Sequence, residues 1–86
     1  MTAKEKIEQS GFEDVILLEN YSYDDALVGV TCENRAVYDF DKMVEWLVST
    51  QNFSHEEAVE FIEYNTIGFL LHCDGKGPII MYNLER

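Results

Sequence analysis

Eighty-six residues, 47% of them hydrophobic and 13% aromatic, can enclose one modest core and not two, so residues 1–86 are expected to form a single acidic domain. Six Lys and Arg against seventeen Asp and Glu leave a net charge of -11, beyond the magnitude of about 2–8 usual for a small soluble domain. That balance argues against direct binding to nucleic acid or to anionic membranes, both of which call for clustered Lys and Arg.

The N-terminal Met1-Thr-Ala-Lys-Glu-Lys6 is polar and carries no apolar leader. Ala3–Gln9 is expected to be a short helix stopped by Ser10-Gly11, glycine being the usual C-terminal stop. Val15–Glu19 is a short apolar run rich in strand formers, and Asn20–Asp25 reads as a loop. Ala26–Thr31 and Ala36–Tyr38 are expected as two strands around Cys32-Glu-Asn-Arg35, a turn in which Asn34 tolerates positive φ. Asp39 or Asp41 can cap a helix running to about Thr50, with Phe40, Met43, Val44, Leu47 and Val48 in a stripe about 140° wide.

Ser54 opens a second helix, which extends to about Asn65 with Ala58, Val59, Phe61 and Ile62 on its apolar face. Glu57 at the third helical position completes a capping box, and Phe53 can staple onto Ala58. Gly68–His72 and Pro78–Tyr82 then read as a β-hairpin closed by Asp74-Gly-Lys-Gly77, with Pro78 suited to an edge strand. The expected fold class is α+β: a small, mostly antiparallel sheet packed against a helical hairpin. The longest apolar runs, Val15–Leu18 and Ile67–Leu71, are far too short to span a bilayer. A cytoplasmic chain with Cys32 and Cys73 as free, buried thiols is therefore expected.

Charge is unevenly laid out. No Lys or Arg occurs between Lys6 and Arg35, and Lys42 is the only base from Ala36 to Gly75. On the second helix Glu56, Glu60 and Glu63 fall within about 60° of one another, opposite the apolar face. Carboxylates at this spacing stand roughly 5–6 Å apart with no Lys to relieve them. The plain reading is a solvated helix face. The sharper one is a row of charge that imitates a DNA phosphate backbone for a basic protein groove. Trp46 lies about 130° from the centre of the first helix's apolar stripe, and Tyr64 is similarly off-centre on the second. Each either covers a neighbouring element or anchors an interface, where Trp and Tyr carry much of the binding energy. Tyr21 and Tyr23 beside Asp24 and Asp25 form a second aromatic–acidic patch.

Catalytic and cofactor signals are sparse, and an enzyme is not expected. His72-Cys73-Asp74 is the one cluster with chemical character, but a zinc site needs Cys32 and His55 to converge on it from distant segments. Neighbouring strand residues face opposite ways, so His72 is poorly placed to activate Cys73. Asp39-Phe-Asp41 lacks the glycine and terminal glutamate of a calcium loop. Gly75-Lys-Gly77 is too short for a phosphate loop. No metal or cofactor is expected.

The ordered pattern Arg35-Ala-Val-Tyr-Asp-Phe-Asp-Lys-Met-Val-Glu-Trp-Leu-Val48, Ser54-His-Glu-Glu-Ala-Val-Glu-Phe-Ile-Glu-Tyr-Asn-Thr-Ile67 and Pro78-Ile-Ile-Met-Tyr82 resembles a family of short acidic proteins. These are uncharacterised proteins of Gram-positive bacteria and of their phages and mobile elements. The resemblance covers about half the chain, and it departs at Gly68–Cys73, where such proteins tend to carry a basic residue and a proline. It implies a context, namely small acidic proteins that inhibit host defence, some by imitating DNA. The reading favoured is a non-enzymatic binding protein, an anti-CRISPR-like inhibitor that engages the basic groove of a host protein such as a nuclease. Glu56, Glu60, Glu63, Asp24, Asp25, Trp46 and Tyr64 are its expected contact residues. The alternative is a housekeeping interaction or dimerisation module, a homodimer included, whose charge serves solubility. A thiol or metal sensor built on Cys32, His72 and Cys73 stands third.

Overall fold

In the computed structural model, which describes residues 1–19, 21–70, 75 and 77–85, the first helix, α1 (Ala3–Gln9), starts with a reciprocal cap. The Thr2 hydroxyl accepts from the Glu5 N–H at 3.2 Å, and the Glu5 carboxylate accepts from the Thr2 N–H at 3.0 Å. The helix stops at Ser10-Gly11 as expected, with Gly11 at φ 81. Val15–Glu19, despite its strand-forming composition, joins no ladder among the described residues. Its Leu18 N–H donates instead to the Tyr38 hydroxyl at 3.2 Å, while Val15, Leu17 and Leu18 pack on the core. A β-rich sequence becomes a strand only where an edge is there to receive it.

The loop that follows is less loose than expected. It contains a 3₁₀ turn at Asp24–Ala26, preceded by Tyr23 in the left-handed region at φ 47. That conformation is unusual for a bulky residue and is held by complete burial of the ring, which is 1% exposed. Strands β1 (Leu27–Val30) and β2 (Ala36–Asp39) pair antiparallel, with Leu27 opposite Tyr38 and Gly29 opposite Val37. Val28 is the extra residue of a bulge between those two pairs. The connecting turn places Asn34 at φ 66, as its residue type allows.

Asp39 closes β2 and caps α2 (Phe40–Gln51). One of its carboxylate oxygens accepts from the Lys42 N–H at 3.2 Å, the other from the Asn83 side chain at 3.4 Å. Phe40, Met43, Val44 and Leu47 are buried as expected, while Val48 at the edge of the stripe stays 39% exposed. After a left-handed Asn52, Ser54 caps α3 (His55–Phe61) through the expected box: its hydroxyl accepts from Glu57 N–H at 3.1 Å, and Glu57 accepts from Ser54 N–H at 3.0 Å.

The region after α3 departs from expectation. The helix continues as a π-helical stretch, Ile62–Ile67, and then as the short α4, Gly68–Leu70. Gly68–Leu70 is thus helical and not the start of a hairpin strand. The remainder of that expected strand and turn, residues 71–74 and 76, lies outside the described residues. Strand β3 (Ile79–Met81) runs parallel to β2, pairing Val37 with Ile79, Tyr38 with Ile80 and Asp39 with Met81. Strand β3 takes the edge of β2 that β1 leaves free. The sheet is therefore mixed, in the order β1-β2-β3, with one antiparallel and one parallel pair, and Pro78 does precede an edge strand.

One core joins these elements. Ala26, Ala36, Tyr38, Met43, Leu47, Ala58 and Ile62 are fully enclosed at 0% exposure. The radius of gyration, 12.5 Å, matches the roughly 12 Å of a compact chain this long. The class is α+β, and among the described residues no helix is long and apolar enough to cross a membrane.

Candidate protein-binding surface

The acidic residues of the second helical segment are held outward by what lies behind them. Ala58, Ile62 and Thr66 are buried at intervals of four, and Glu56, Glu60 and Glu63 are exposed on the other side. Glu56 and Glu60 belong to α3, whereas Glu63 lies one residue into the π-helical stretch. The wider winding there displaces Glu63 from the ideal α-helical row. Thr66, buried in this stretch, has its hydroxyl 3.4 Å from the Tyr23 hydroxyl inside the core, which gives a buried polar group a partner.

Two of the few bases are committed to the backbone. The Lys6 ammonium donates to the main-chain carbonyls of Asp24 and, at 3.2 Å, of Leu27. The Arg35 guanidinium donates to the Gly77 carbonyl at 2.9 Å, fastening the approach to β3 onto the sheet. Both cations hold segments together across long sequence distances. Their roles carry no local sequence signal. Of the carboxylates, Asp39 is buried and Asp24 and Asp41 are half-buried; Glu8, Glu13, Asp14, Glu19, Asp25, Glu33, Glu45 and Glu85 are exposed together with the α3 row. Glu57 is held below the usual carboxylate range by its hydrogen bonds from Ser54, and Glu5 likewise by those from Thr2. The Thr2–Glu5 box has the same Ser/Thr-x-x-Glu signature as Ser54–Glu57, and a scan of the first six residues would have found it.

The aromatic residues divide. Tyr64, in the π-helical stretch, is 81% exposed, so it covers neither the sheet nor a neighbouring helix. Trp46 is half-buried, its ring 5.9 Å from Tyr21 and 5.3 Å from Tyr23. Tyr21 is the centre of this cluster, with Phe61 at 5.3 Å, Phe53 at 6.3 Å and Tyr23 at 6.2 Å. The expected surface patch of Tyr21 and Tyr23 is therefore an internal joint between the loop and both helices. Burial pushes the Tyr23 phenol up, opposed by the Thr66 hydroxyl, and pushes the Tyr38 phenol up, opposed by the Leu18 N–H.

The remaining expected contacts separate in the same way. Asp24 is half-buried, and its carboxylate accepts from the Ala3 N–H at 2.8 Å, tying the 3₁₀ turn to the start of α1. Asp25 is exposed and lines an open cleft with Lys42, Glu45, Trp46 and Ser49 on α2. Cys32, expected in the core, is exposed in the β1–β2 turn because the two-strand turn faces solvent. His72, Cys73 and Asp74 lie outside the described residues. Among the described residues no three of His, Cys, Asp and Glu converge as metal ligands. Comparison with protein-family models, curated proteins and solved structures found no match for the chain.

Proposed function

We propose that the protein is a cytoplasmic, non-enzymatic binding protein whose acidic surface occupies the basic groove of another protein. In its most specific form it is a phage or mobile-element inhibitor of a nucleic-acid-handling defence nuclease, anti-CRISPR-like and imitating DNA. One observation carries this reading: Glu56, Glu60 and Glu63 are exposed on one helical segment, while Lys6 and Arg35 are engaged by main-chain carbonyls. Uncompensated charge of this kind destabilises the fold through self-repulsion, which selection tolerates most readily where the field has a use. Tyr64, fully presented one turn beyond Glu60, supplies an aromatic anchor beside the charge. Exposed Asp25, in the 3₁₀ turn beside Glu45 and Lys42, offers a second acidic contact, while Asp24 and Trp46 are half-buried and also make contacts within the fold. Capture from a host lysate on the immobilised protein, with and without duplex DNA, tests the proposal. Capture of a basic protein that DNA displaces supports it; capture indifferent to DNA favours an interaction module.

A further inference from the structure

Four of the exposed large apolar side chains gather beside α1, away from the acidic stripe. Met1, Phe12, Ile16 and Val28 are 69%, 42%, 44% and 43% exposed, and all line two clefts that share Ile7 and Phe12. The larger, about 790 Å³, runs between α1 and the segment Phe12–Glu19, and its apolar lining includes Ile7, Phe12, Ile16 and Leu18. That volume is in the range that accepts a drug-sized ligand, and so accommodates the apolar side chains of one short helical face. Among the described residues no backbone–backbone hydrogen bond is made by Val15–Glu19; the run is held by the Leu18 N–H to the Tyr38 hydroxyl and by packing of Val15, Leu17 and Leu18, and Ile16 stays exposed. Its charged lining is mostly acidic: Glu8, Glu13, Asp14, Glu19 and Asp24 against the single base Lys4.

We infer that this cleft is a docking groove for a cationic amphipathic helix of a partner protein. Apolar anchors of such a helix fill the cleft, and flanking Lys or Arg meet its acidic lining, the mode by which a helix lies in a hydrophobic groove. Charge complementarity selects this occupant over a second copy of the chain, which would bring -11 against -11. It also excludes an anionic membrane surface. The inference stands on residues that the acidic-stripe proposal does not use, so either can fail alone.

Fluorescence anisotropy with a labelled Leu/Lys peptide of helical period, compared with a scramble of the same composition, tests it. The wild type should bind the amphipathic peptide about tenfold or more tighter than the scramble at physiological salt. Ile16→Asn, and separately Glu8→Lys with Glu13→Lys, should each weaken that binding by about tenfold, while Glu56→Lys, Glu60→Lys and Glu63→Lys together leave the preference over the scramble intact. The charge reversals involve exposed side chains, so they remain a readout if Ile16→Asn folds poorly. Equal affinity for peptide and scramble, or binding indifferent to both sets of changes, would overturn the inference. So would a wild-type dimer in sedimentation that Ile16→Asn converts to monomer, since the groove would then hold a second copy.

Discussion

Tyr21→Ala tests whether the loop before β1 is fastened to the helices by its aromatic joint. Tyr21 has four ring neighbours, Phe61 at 5.3 Å, Trp46 at 5.9 Å, Tyr23 at 6.2 Å and Phe53 at 6.3 Å. Truncating a fully buried aromatic costs about 3–5 kcal/mol, and Tyr21 is half-buried, which leaves about 2 kcal/mol for burial and cavity. Aromatic pairs contribute about 0.5–1.5 kcal/mol each beyond burial, but four pairs sharing one ring are not additive, so about 1–2 kcal/mol is added. The expected loss is about 3–4 kcal/mol, against a total of about 4–13 kcal/mol for a domain of this length. Thermal unfolding should fall by about 12–30 °C. Trp46, the only tryptophan, sits inside the joint, so its fluorescence in urea reports both the perturbation and the unfolding. Tyr21→Phe should cost under about 0.5 kcal/mol, because the ring and not the hydroxyl makes these contacts. A cycle with Phe61→Leu should show a coupling of about 0.5–1.5 kcal/mol. A loss below about 1 kcal/mol for Tyr21→Ala, with no coupling to Phe61, would refute the joint.

Ser54→Ala removes one half of the α3 cap and should lower stability by about 1 kcal/mol in chemical denaturation, without altering native secondary structure. Glu57 titrates below the ordinary glutamate range in the folded protein, so its capping contribution is present above the unfolded-chain value and is lost as pH falls through the lowered one. The stability difference between wild type and Glu57→Ala should therefore shrink on acidification, even though protonation of the other carboxylates relieves self-repulsion. Tyr23 and Tyr38 shift the other way: stability is full below pH 10 and is lost as pH rises through their raised values. Their phenolate absorbance should appear together with loss of the fold, and Tyr23→Phe should carry the unfolding midpoint to higher pH.

What could be read from the sequence was what neighbours in the chain decide. The stop at Gly11, the turn at Asn34, the cap at Asp39 and the box at Ser54–Glu57 each depend on residues within a few positions, and each lies where expected. The errors arose where distant segments compete. Gly68–Leu70 has a strand-like composition but continues a helix that is joined to the distant loop by the Thr66–Tyr23 contact, 43 residues apart. Ile79–Met81 pairs parallel with β2, a partner about forty residues away in the chain. Trp46 lies off the apolar stripe of α2, yet Tyr21 and Tyr23 arrive from the loop to cover it. At the candidate surface, exposure of Glu56, Glu60 and Glu63 followed from helical periodicity, whereas the off-stripe positions of Trp46 and Tyr64 left their burial open, and only Tyr64 is exposed. The internal duties of Asp24 and Lys6 did not, because both act on main-chain atoms more than fifteen residues away.

The account turns on whether the exposed acids make the contact with a basic groove. The direct measurement is capture from host lysate at low salt by the wild type and by the triple variant Glu56→Lys, Glu60→Lys, Glu63→Lys, each eluted with duplex DNA. Exposed acids have no packing role, so the variant should fold with equal or slightly higher stability as self-repulsion falls. The wild type should retain a basic protein that DNA releases, with association slowed by added salt because screening acts over about 8–10 Å near physiological strength. The triple variant should retain none of it. Equal capture by both proteins, with the same affinity at low salt, would contradict the account and leave the acidic face as a solubilising surface.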